Sequence, residues 1–372
     1  MDLELSQEQA QVRDAARRFL ERECSPSLVR RVREGAPSHP QALWAGMAEQ
    51  GWLTLPFEEA CGGLAAGWVT LAVVVEELGR ACDPTPFIDC VVNCGGLIQD
   101  LGGDVQKQRW LTALTRGELL VSLALLESPA DPNPERIETR LEAEGTGFRV
   151  SGRKLFVERA ADADLLLVAA RETASGRVRL ALVAPRTAGV ELVRLRSLAH
   201  PHLYEVRLEG VAIEGGQVLG EPIDAASALQ AAIRRAAALQ SAAAVGGAQR
   251  VLEMAVAHAR ERHQFGKPIG SFQAVQHMLA DVWAEVETAR LAAYEAITEL
   301  EFGGNAVEEK AAIARCASSQ CFVRTCLTAH QIFGGMGFMW ETDLHLWTRK
   351  AKEIEFACGD VGLWRRRLAE LL

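Results

Sequence analysis

The sequence of 372 residues contains no apolar run near the roughly 20 residues that a membrane-spanning helix needs. Its beginning, Met1-Asp2-Leu3-Glu4-Leu5, lacks the basic segment and apolar core of a secretory signal. Acidic residues outnumber lysine and arginine, which gives a formal net charge of −9 and disfavours nucleic acid as the main partner. We therefore expect a cytoplasmic protein that binds neither membranes nor nucleic acids.

Paired cysteine motifs are also missing. The nine cysteines include no C-x-x-C pair, and their number is odd. Several lie at helical spacing, where a free cysteine packs as a small apolar side chain. The pattern predicts a reduced protein with neither disulfides nor a metal site.

No strand is followed by the G-x-G-x-x-G turn of a Rossmann unit, which argues against that fold. The chain instead contains two helical regions on either side of a β-rich region, which alternates with a period of two. We expect an α+β fold with an N-terminal α-helical domain over 1–118, a middle antiparallel β-barrel or sandwich domain over 119–222, and a C-terminal helical bundle over 223–372.

Capping and glycine signals predict where individual helices begin and end. Ser6 and Gln9 form a capping-box pattern, and Gly51 and Gly79 are expected to end helices. An Ala-rich helix without proline is predicted over 225–261. Further helices are predicted over 271–301, 306–333 and 341–370, and short strands over 148–150, 154–157, 165–168, 178–183 and 204–208.

Two motifs carry candidate ligand chemistry. In Arg262-His263-Gln264-Phe265-Gly266-Lys267-Pro268, the arginine can grip a pyrophosphate, and Gln264 and Phe265 offer an amide and a flat apolar surface. The alternative is an ordinary helix end whose aromatic side chain packs in the core. The glycines of Gln331-Ile332-Phe333-Gly334-Gly335-Met336-Gly337-Phe338 let backbone N–H groups approach a phosphate or adenine, unless they form a plain turn.

Together the two motifs resemble the flavin-contacting signature of the acyl-CoA dehydrogenase family. The resemblance covers nearly the whole chain, including Gly51-Trp52-Leu53, the loop 58–64, Glu76-Glu77-Leu78-Gly79-Arg80 and Leu279-Ala280-Asp281. It implies desaturation of an acyl-CoA substrate by FAD, a C-terminal four-helix bundle, and an electron-transfer flavoprotein as electron acceptor. By this resemblance, the adenine and pyrophosphate end of FAD, bound mainly in a neighbouring subunit, would contact Arg262, Gln264, Phe265, Gln273, Gln331, Gly334, Gly335 and Gly337.

The family's catalytic glutamate is missing, so the catalytic residue is unknown. An ungapped alignment with its Tyr-Glu-Gly-Thr run places Cys358 at the glutamate position. A thiol needs a cationic neighbour to act as a base near neutral pH, and an inert cysteine is the alternative. The position used by some relatives, near the start of the Ala-rich helix, is Ala236. Glu353 and Glu355 are weak candidates, since solvated surface positions are the favoured interpretation for each.

The segments that resemble the flavin-ring contacts are altered. The family's Thr-Glu-Pro-x-x-Gly-Ser-Asp reads Leu126-Glu127-Ser128-Pro129-Ala130-Asp131-Pro132 here. Its Lys-x-Trp-Ile-Thr/Ser strand, which covers the isoalloxazine, reads Lys154-Leu155-Phe156-Val157-Glu158. Asp360 stands where the family has a threonine, and a carboxylate there would repel the flavin phosphate.

By the resemblance, the matched residues form the half-site lent to a neighbour's FAD, and the altered segments form the half-site for the chain's own flavin. Such a chain fits a hetero-oligomer with a second acyl-CoA dehydrogenase-like subunit. The leading hypothesis is the less catalytic subunit of a dehydrogenase for a bulky or unusual acyl group. The run 337–346 resembles paired bacterial subunits that act on steroid side chains, bile acids or pimeloyl-type acids, and its His345 is either catalytic or an interface residue. The alternatives are a homo-oligomeric flavoenzyme with a non-standard base and a flavin-free binding or scaffold homologue. By resemblance, the oligomer is expected to be a tetramer.

Overall fold

The computed structural model describes residues 5–35, 39–128 and 132–371. The chain divides into two compact units, each gathered from segments that are distant in the sequence. Unit 1 comprises Met1–Arg31, Trp68–Pro84 and Ala237–Leu372, and unit 2 comprises Val32–Gly67 and Thr85–Ala236. The expected order of a helical region, a β region and a second helical region is confirmed.

The α-helices are α1 (Gln7–Glu23), α2 (Pro26–Arg33), α3 (Gln41–Glu49), α4 (Trp68–Arg80), α5 (Gly96–Leu101), α6 (Asp104–Thr115), α7 (Ala226–Glu261), α8 (Gln273–Phe302), α9 (Val307–Phe333), α10 (Leu344–Phe356) and α11 (Val361–Leu371). α1 starts as predicted, because Ser6 Oγ accepts from Gln9 N at 3.2 Å and Ser6 N donates to Gln9 Oε1 at 3.0 Å. The alanine-rich composition of α7 likewise gives the long helix that propensity predicts.

The prediction that Gly79 ends a helix is wrong, because α4 continues through it to Arg80. A Cβ added at Gly79 would lie 1.9 Å from the carbonyl oxygen of Ala243 in α7. One added at Gly246 would lie 1.9 Å from the carbonyl oxygen of Glu76. These glycines therefore allow α4 and α7 to cross at close range.

The single helix predicted over 341–370 is also wrong, because the chain breaks between α10 and α11. Cys358 and Gly359 have φ angles of 59° and 98°, in the left-handed region that an α-helix cannot include. Arg315 of α9 stabilises the break by donating from Nη2 to the carbonyl oxygens of Ile354 and Ala357. The carbonyls at the end of α10 thus have a partner in another helix.

Unit 2 contains a seven-stranded sheet ordered β1-β4-β2-β3-β7-β6, with β5 paired to β4. Its strands are β1 (Val121–Ala124), β2 (Arg140–Glu144), β3 (Gly147–Glu158), β4 (Leu165–Glu172), β5 (Val178–Val183), β6 (Val190–Arg194) and β7 (Leu203–Glu214). Four pairings are antiparallel, as expected, whereas β1–β4 and β2–β4 are parallel. The parallel pairs arise because β4 returns beside β2 rather than beside its predecessor β3.

Alternate residues of these strands form the core of unit 2, which includes Leu141, Val150, Val168, Val183 and Val206. A π-helical segment, Ile88–Gly95, leads into α5 and was not predicted. Its backbone lies against β1, since Val121 N donates to Cys90 Sγ at 3.4 Å. All nine cysteines have free thiols.

Candidate functional site

The first motif forms a small hairpin directly after α7. β8 (His263–Gln264) pairs with β9 (Lys267–Pro268), and Phe265 and Gly266 turn the chain with φ angles of 52° and 77°. The ring of Phe265 is 91% exposed and touches Phe272 edge-on, with 6.1 Å between the ring centres. The alternative of an aromatic side chain packed in the core is therefore wrong.

The second motif begins where α9 ends. Gly334 adopts φ 61° and ψ −140°, and Gly334–Phe338 forms a single 3₁₀ turn. A Cβ added at Gly334 or Gly335 would meet no atom within 4 Å, whereas one at Gly337 would lie 3.2 Å from His330 Nδ1. The first two glycines thus present open backbone, and Gly337 is needed for packing.

Ring stacking connects the two motifs within unit 1. His258, one turn before Arg262, stacks on Phe333 with 4.2 Å between ring centres. Sequence analysis missed His258, although its position one helical turn from Arg262 was a signal. His330 stacks similarly on Phe338, at 4.7 Å.

The predicted contact residues remain accessible in the single chain. Those that are exposed are Arg262, Gln264, Phe265, Gln273, Gln331, Gly334 and Gly335, whereas Gly337 is buried. Phe338 and Trp340 extend the apolar part of this surface, with 77% and 47% of their areas exposed. We call these residues the motif surface. Exposed aromatic groups gathered in this way mark a surface that another molecule covers.

The groups of the motif surface are of the kinds that bind one end of a dinucleotide. Arg262 offers a guanidinium for pyrophosphate, Phe265 offers a flat face for adenine, and the open Gly334–Gly335 backbone leaves room for a group to approach closely.

The weak base candidates on α10 are engaged in local ion pairs. Lys350 Nζ donates to Glu353 Oε1 at 2.6 Å, and Lys352 Nζ donates to Glu355 Oε2 at 2.7 Å. Ala236 is fully buried in α7. Glu353 and Glu355 are thus paired with lysines of their own helix, and Ala236 has no carboxylate.

A buried cation holds the backbone next to Cys358. The guanidinium of Arg315 is buried, donates to Ala357 O at 2.7 Å and donates to Ser319 Oγ at 2.8 Å. Burial lowers the pKa of Arg315, and negative charge at Cys358 acts in the opposite direction. The Cys358 carbonyl accepts from Trp364 Nε1 at 3.1 Å, which fixes the backbone on the other side.

His345 packs against its own segment. Its ring stacks on Trp340 at 4.5 Å between ring centres, and the Arg349 guanidinium lies 5.0 Å from the Trp340 ring on the same element. Burial, followed by the charge of Arg349, lowers the pKa of His345. The lowered pKa keeps this imidazole neutral within the stack near neutral pH.

In unit 2, a buried lysine of β3 anchors the altered strand to the segment before it. Lys154 is fully buried, and its Nζ donates to Glu127 Oε1 at 2.6 Å and to Leu125 O at 3.2 Å. Burial lowers the pKa of Lys154 to about 8, although the Glu127 carboxylate opposes this change. Burial acts to raise the pKa of Glu127, but Lys154 acts in the opposite direction and holds this pKa below its usual range. Residues 129–131, part of the altered segment after Glu127, lie outside the described residues.

The end of β3 carries unusual backbone angles. Phe156 and Arg159 have φ angles of 54° and 51°, which non-glycine residues rarely adopt. Phe156 is partly exposed, and Glu158 lies between these two positions. Register shifts in the β3–β7 pairing accompany this distortion.

Among the residues that the structure describes, no group of three or more His, Cys, Asp or Glu side chains is placed to hold a metal ion. Within the same ranges, no helix is both long enough and apolar enough to cross a bilayer. 

Comparison with known proteins gives matches along the whole chain. The family model for the acyl-CoA dehydrogenase N-terminal domain matches residues 6–118, and the one for the C-terminal domain matches residues 226–372. The chain is 30% identical over 381 residues to the probable acyl-CoA dehydrogenase YngJ of Bacillus subtilis, with 100% of each chain covered.

Two solved structures share the fold. The ChsE4-ChsE5 complex from Mycobacterium tuberculosis superposes with a TM-score of 0.89 at 24% identity, covering 100% of this chain and 98% of the other. The Tcur3481-Tcur3483 steroid ACAD superposes with a TM-score of 0.87 at 26% identity, covering 98% and 97%.

Proposed function

Because the chain belongs to the acyl-CoA dehydrogenase family, we propose that it is a subunit that lends an adenine and pyrophosphate half-site for FAD to a partner subunit. Family membership makes the chain an oxidoreductase of acyl-CoA thioesters and FAD the cofactor. The proposal concerns how this subunit contributes to the site.

The observation that carries the proposal is the exposure of the motif surface. Arg262, Gln264 and Phe265 sit on a hairpin that projects from α7, and Phe265 is 91% exposed. A single chain does not bury these groups itself. A cofactor and a second subunit that cover them would remove a large aromatic area from water.

The chemistry that FAD would supply when bound is acceptance of the hydride from the acyl β-carbon. The residues of this chain would hold its distal end: Arg262 would pair with pyrophosphate charge, Phe265 would cover the adenine, and the Gly334–Gly335 backbone would allow close approach. The positions Cys358 and Ala236 lack the carboxylate that removes the α-proton in the family. The partner subunit supplies that carboxylate and the ring pocket.

The names of two matching structures support a proposal for the partner and for the acyl group. One of the matching structures is named as a ChsE4-ChsE5 complex, and another as a steroid ACAD formed by Tcur3481 and Tcur3483. Both names point to two-component assemblies. We infer a hetero-oligomer that acts on a bulky acyl-CoA, with an electron-transfer flavoprotein as acceptor.

The test is the visible absorption spectrum of the chain purified alone and co-purified with an adjacent dehydrogenase-like subunit. We expect flavin absorption only with the partner. Arg262→Ala should then remove most of the flavin, whereas Arg260→Ala, an exposed arginine two residues away on the same helix end, should leave it unchanged. Equal flavin content in the two variants contradicts the cofactor role of Arg262.

A second candidate function follows from Arg315. Its guanidinium bonds to the carbonyl of Ala357, next to Cys358, and a nearby cation favours an ionised thiol, so the second candidate is a homo-oligomer that uses Cys358 as its base. It requires near-stoichiometric FAD in the chain purified alone and loss of dehydrogenation in Cys358→Ala. Absence of flavin from the isolated chain contradicts it.

A further inference from the structure

The two halves of the motif surface meet at a histidine that neither motif contains. His258 of α7 lies one helical turn before Arg262, whose backbone N donates to the His258 carbonyl oxygen at 2.9 Å, so both side chains leave the helix on the same side. The His258 ring also stacks on Phe333, the last residue of α9, with 4.2 Å between ring centres and 12° between ring planes. His258 is therefore held between Arg262 and the glycine turn that starts at Gly334.

The ring of His258 is held in place, but its nitrogens are not used. Within residues 5–35, 39–128 and 132–371, neither ring nitrogen has a hydrogen-bond partner, and the side chain is only partly buried. Two other stacked histidines of unit 1 do use a ring nitrogen. His330 Nε2 lies 2.8 Å from Thr348 Oγ1, and His345 Nε2 lies 3.3 Å from Trp340 O. A neutral imidazole always carries one N–H, so His258 has a donor left for a ligand.

The backbone around this site calls for positive charge when an anion binds. α7 ends at Glu261 and α9 ends at Phe333, and the carbonyl end of a helix carries partial negative charge. The His258–Phe333 stack brings the two ends together, so an anion bound there is repelled by both. Arg262 supplies one cation. A protonated His258 supplies a second, in the last turn of a helix, where an imidazolium is stabilised.

The charges that act on His258 come from its own helix. Burial and then the charge of Arg262 lower the pKa of His258, and Glu261 acts in the opposite direction. The side chain that α9 packs against the ring is the uncharged Phe333. His258 is therefore mostly neutral at pH 7 in the chain without a ligand. A diphosphate paired with Arg262 offsets the arginine charge and adds negative charge, which raises the pKa of His258.

We propose that His258 is a further contact for the pyrophosphate of FAD, donating a hydrogen bond from its ring to a phosphate oxygen beside Arg262. The inference rests on the proposed function, because Arg262 and the Gly334–Gly335 backbone are the groups that place the pyrophosphate. The stack on Phe333 fixes the donor before the cofactor arrives, which limits the conformational entropy lost on binding. The proton that His258 takes up on binding comes from solvent, and no covalent bond to the cofactor forms.

The experiment measures the affinity of the assembly for FAD rather than its activity. The flavin-loaded assembly with its partner subunit is diluted, and the fluorescence of released FAD at equilibrium gives the dissociation constant. His258→Phe keeps an aromatic ring on Phe333 but removes both ring nitrogens. We expect it to raise the FAD dissociation constant by about 10- to 100-fold at pH 6, the contribution of a hydrogen bond between charged groups. His277→Phe makes the same change at an exposed histidine of α8 and should leave the constant unaltered.

The pH dependence separates a cofactor contact from packing. A group whose pKa rises on binding takes up a proton, so wild-type affinity should increase as the pH falls from 8 to 6. The increase is at most about tenfold for each unit by which binding raises the pKa of His258. His258→Phe should remove this increase. His258→Gln, which keeps a donor but has no charge to gain, should also remove it, while binding FAD more tightly than His258→Phe at pH 8.

Each outcome decides for or against the contact. A wild-type dissociation constant and pH profile in His258→Phe overturns this inference and leaves the proposed function standing. A loss of affinity that is equal at pH 6 and pH 8, with a lower melting temperature of the isolated chain, assigns His258 to packing and also overturns it. Unchanged flavin in Arg262→Ala, together with weakened binding in His258→Phe, overturns the role of Arg262 alone. Absence of flavin from every assembly overturns both proposals.

Discussion

The motif surface of unit 1 and the β3 strand of unit 2 carry the two halves of the same resemblance, but they are held in opposite ways. The motif surface is open, with exposed Phe265 and glycines that have no neighbour within 4 Å of an added Cβ. The β3 strand is held from inside by a fully buried Lys154 paired with Glu127. From this difference we expect the exposed side chains of the motif surface to tolerate substitution in the isolated chain, whereas the Lys154–Glu127 pair should be needed for the stability of unit 2.

The largest effect on stability should come from breaking the buried Lys154–Glu127 pair. Lys154→Met leaves the Glu127 carboxylate without the amine that lies 2.6 Å away, and we expect unfolding free energy to fall by about 3–5 kcal/mol. Urea denaturation measures the loss. The double variant Lys154→Met/Glu127→Gln should recover most of it, because no buried charge then remains unpaired. A loss below about 1 kcal/mol would show that water reaches Glu127.

The second prediction concerns the pKa of His39, in unit 2. Burial and then the charge of Arg159 lower the pKa of His39 from 6.5 to about 4. Between these values the unfolded chain binds more protons than the folded one, so stability falls as the pH falls from about 7 to about 4. The shift corresponds to at most about 3 kcal/mol. His39→Gln should flatten this part of a stability–pH curve, and an unchanged slope would assign the acid sensitivity to other groups.

The third prediction compares neighbours within the motif surface. Gly334 has φ 61° and ψ −140°, a conformation that alanine adopts only with strain, whereas Gly335 has no positive φ. We expect Gly334→Ala to cost about 1–3 kcal/mol and Gly335→Ala to be nearly neutral in thermal denaturation of the isolated chain. Equal effects would mean that the turn relaxes around the substitution.

The smallest effect on stability is expected at Phe265. Because its ring is 91% exposed, Phe265→Ala should change the unfolding free energy by less than about 0.5 kcal/mol. The same variant should lose flavin in the assembly with a partner subunit. A clear drop in the melting temperature of the isolated chain would show that Phe265 serves folding rather than binding.

Much of the helical structure was predictable because its signals are local. The capping box at Ser6 and the alanine-rich run of α7 act within a few residues of chain, and both gave the expected elements. The positions of the motif residues followed in the same way, since a helix end and a glycine turn determine them. Their role in binding FAD stays a prediction.

The features that sequence analysis missed depend on distant residues. The helix predicted over 341–370 breaks at Cys358, where Arg315 from another helix holds the preceding carbonyls. The glycine signal at Gly79 was misread because its cause, the Ala243 carbonyl, lies on a different helix.

The π-helical segment Ile88–Gly95 has a consequence for how this chain can be altered by insertions and deletions. Each residue added to or removed from a helix turns everything beyond it by about 100°, since an α-helix has 3.6 residues per turn. A π-helical turn holds an extra residue relative to an α-helix, so deleting one residue here can restore ordinary helical geometry. Asp89, whose Oδ2 accepts from Leu123 N at 3.2 Å, would then be replaced at that position by another side chain without any substitution. Chain length at this point, as much as residue identity, decides whether an acid occupies the position of Asp89.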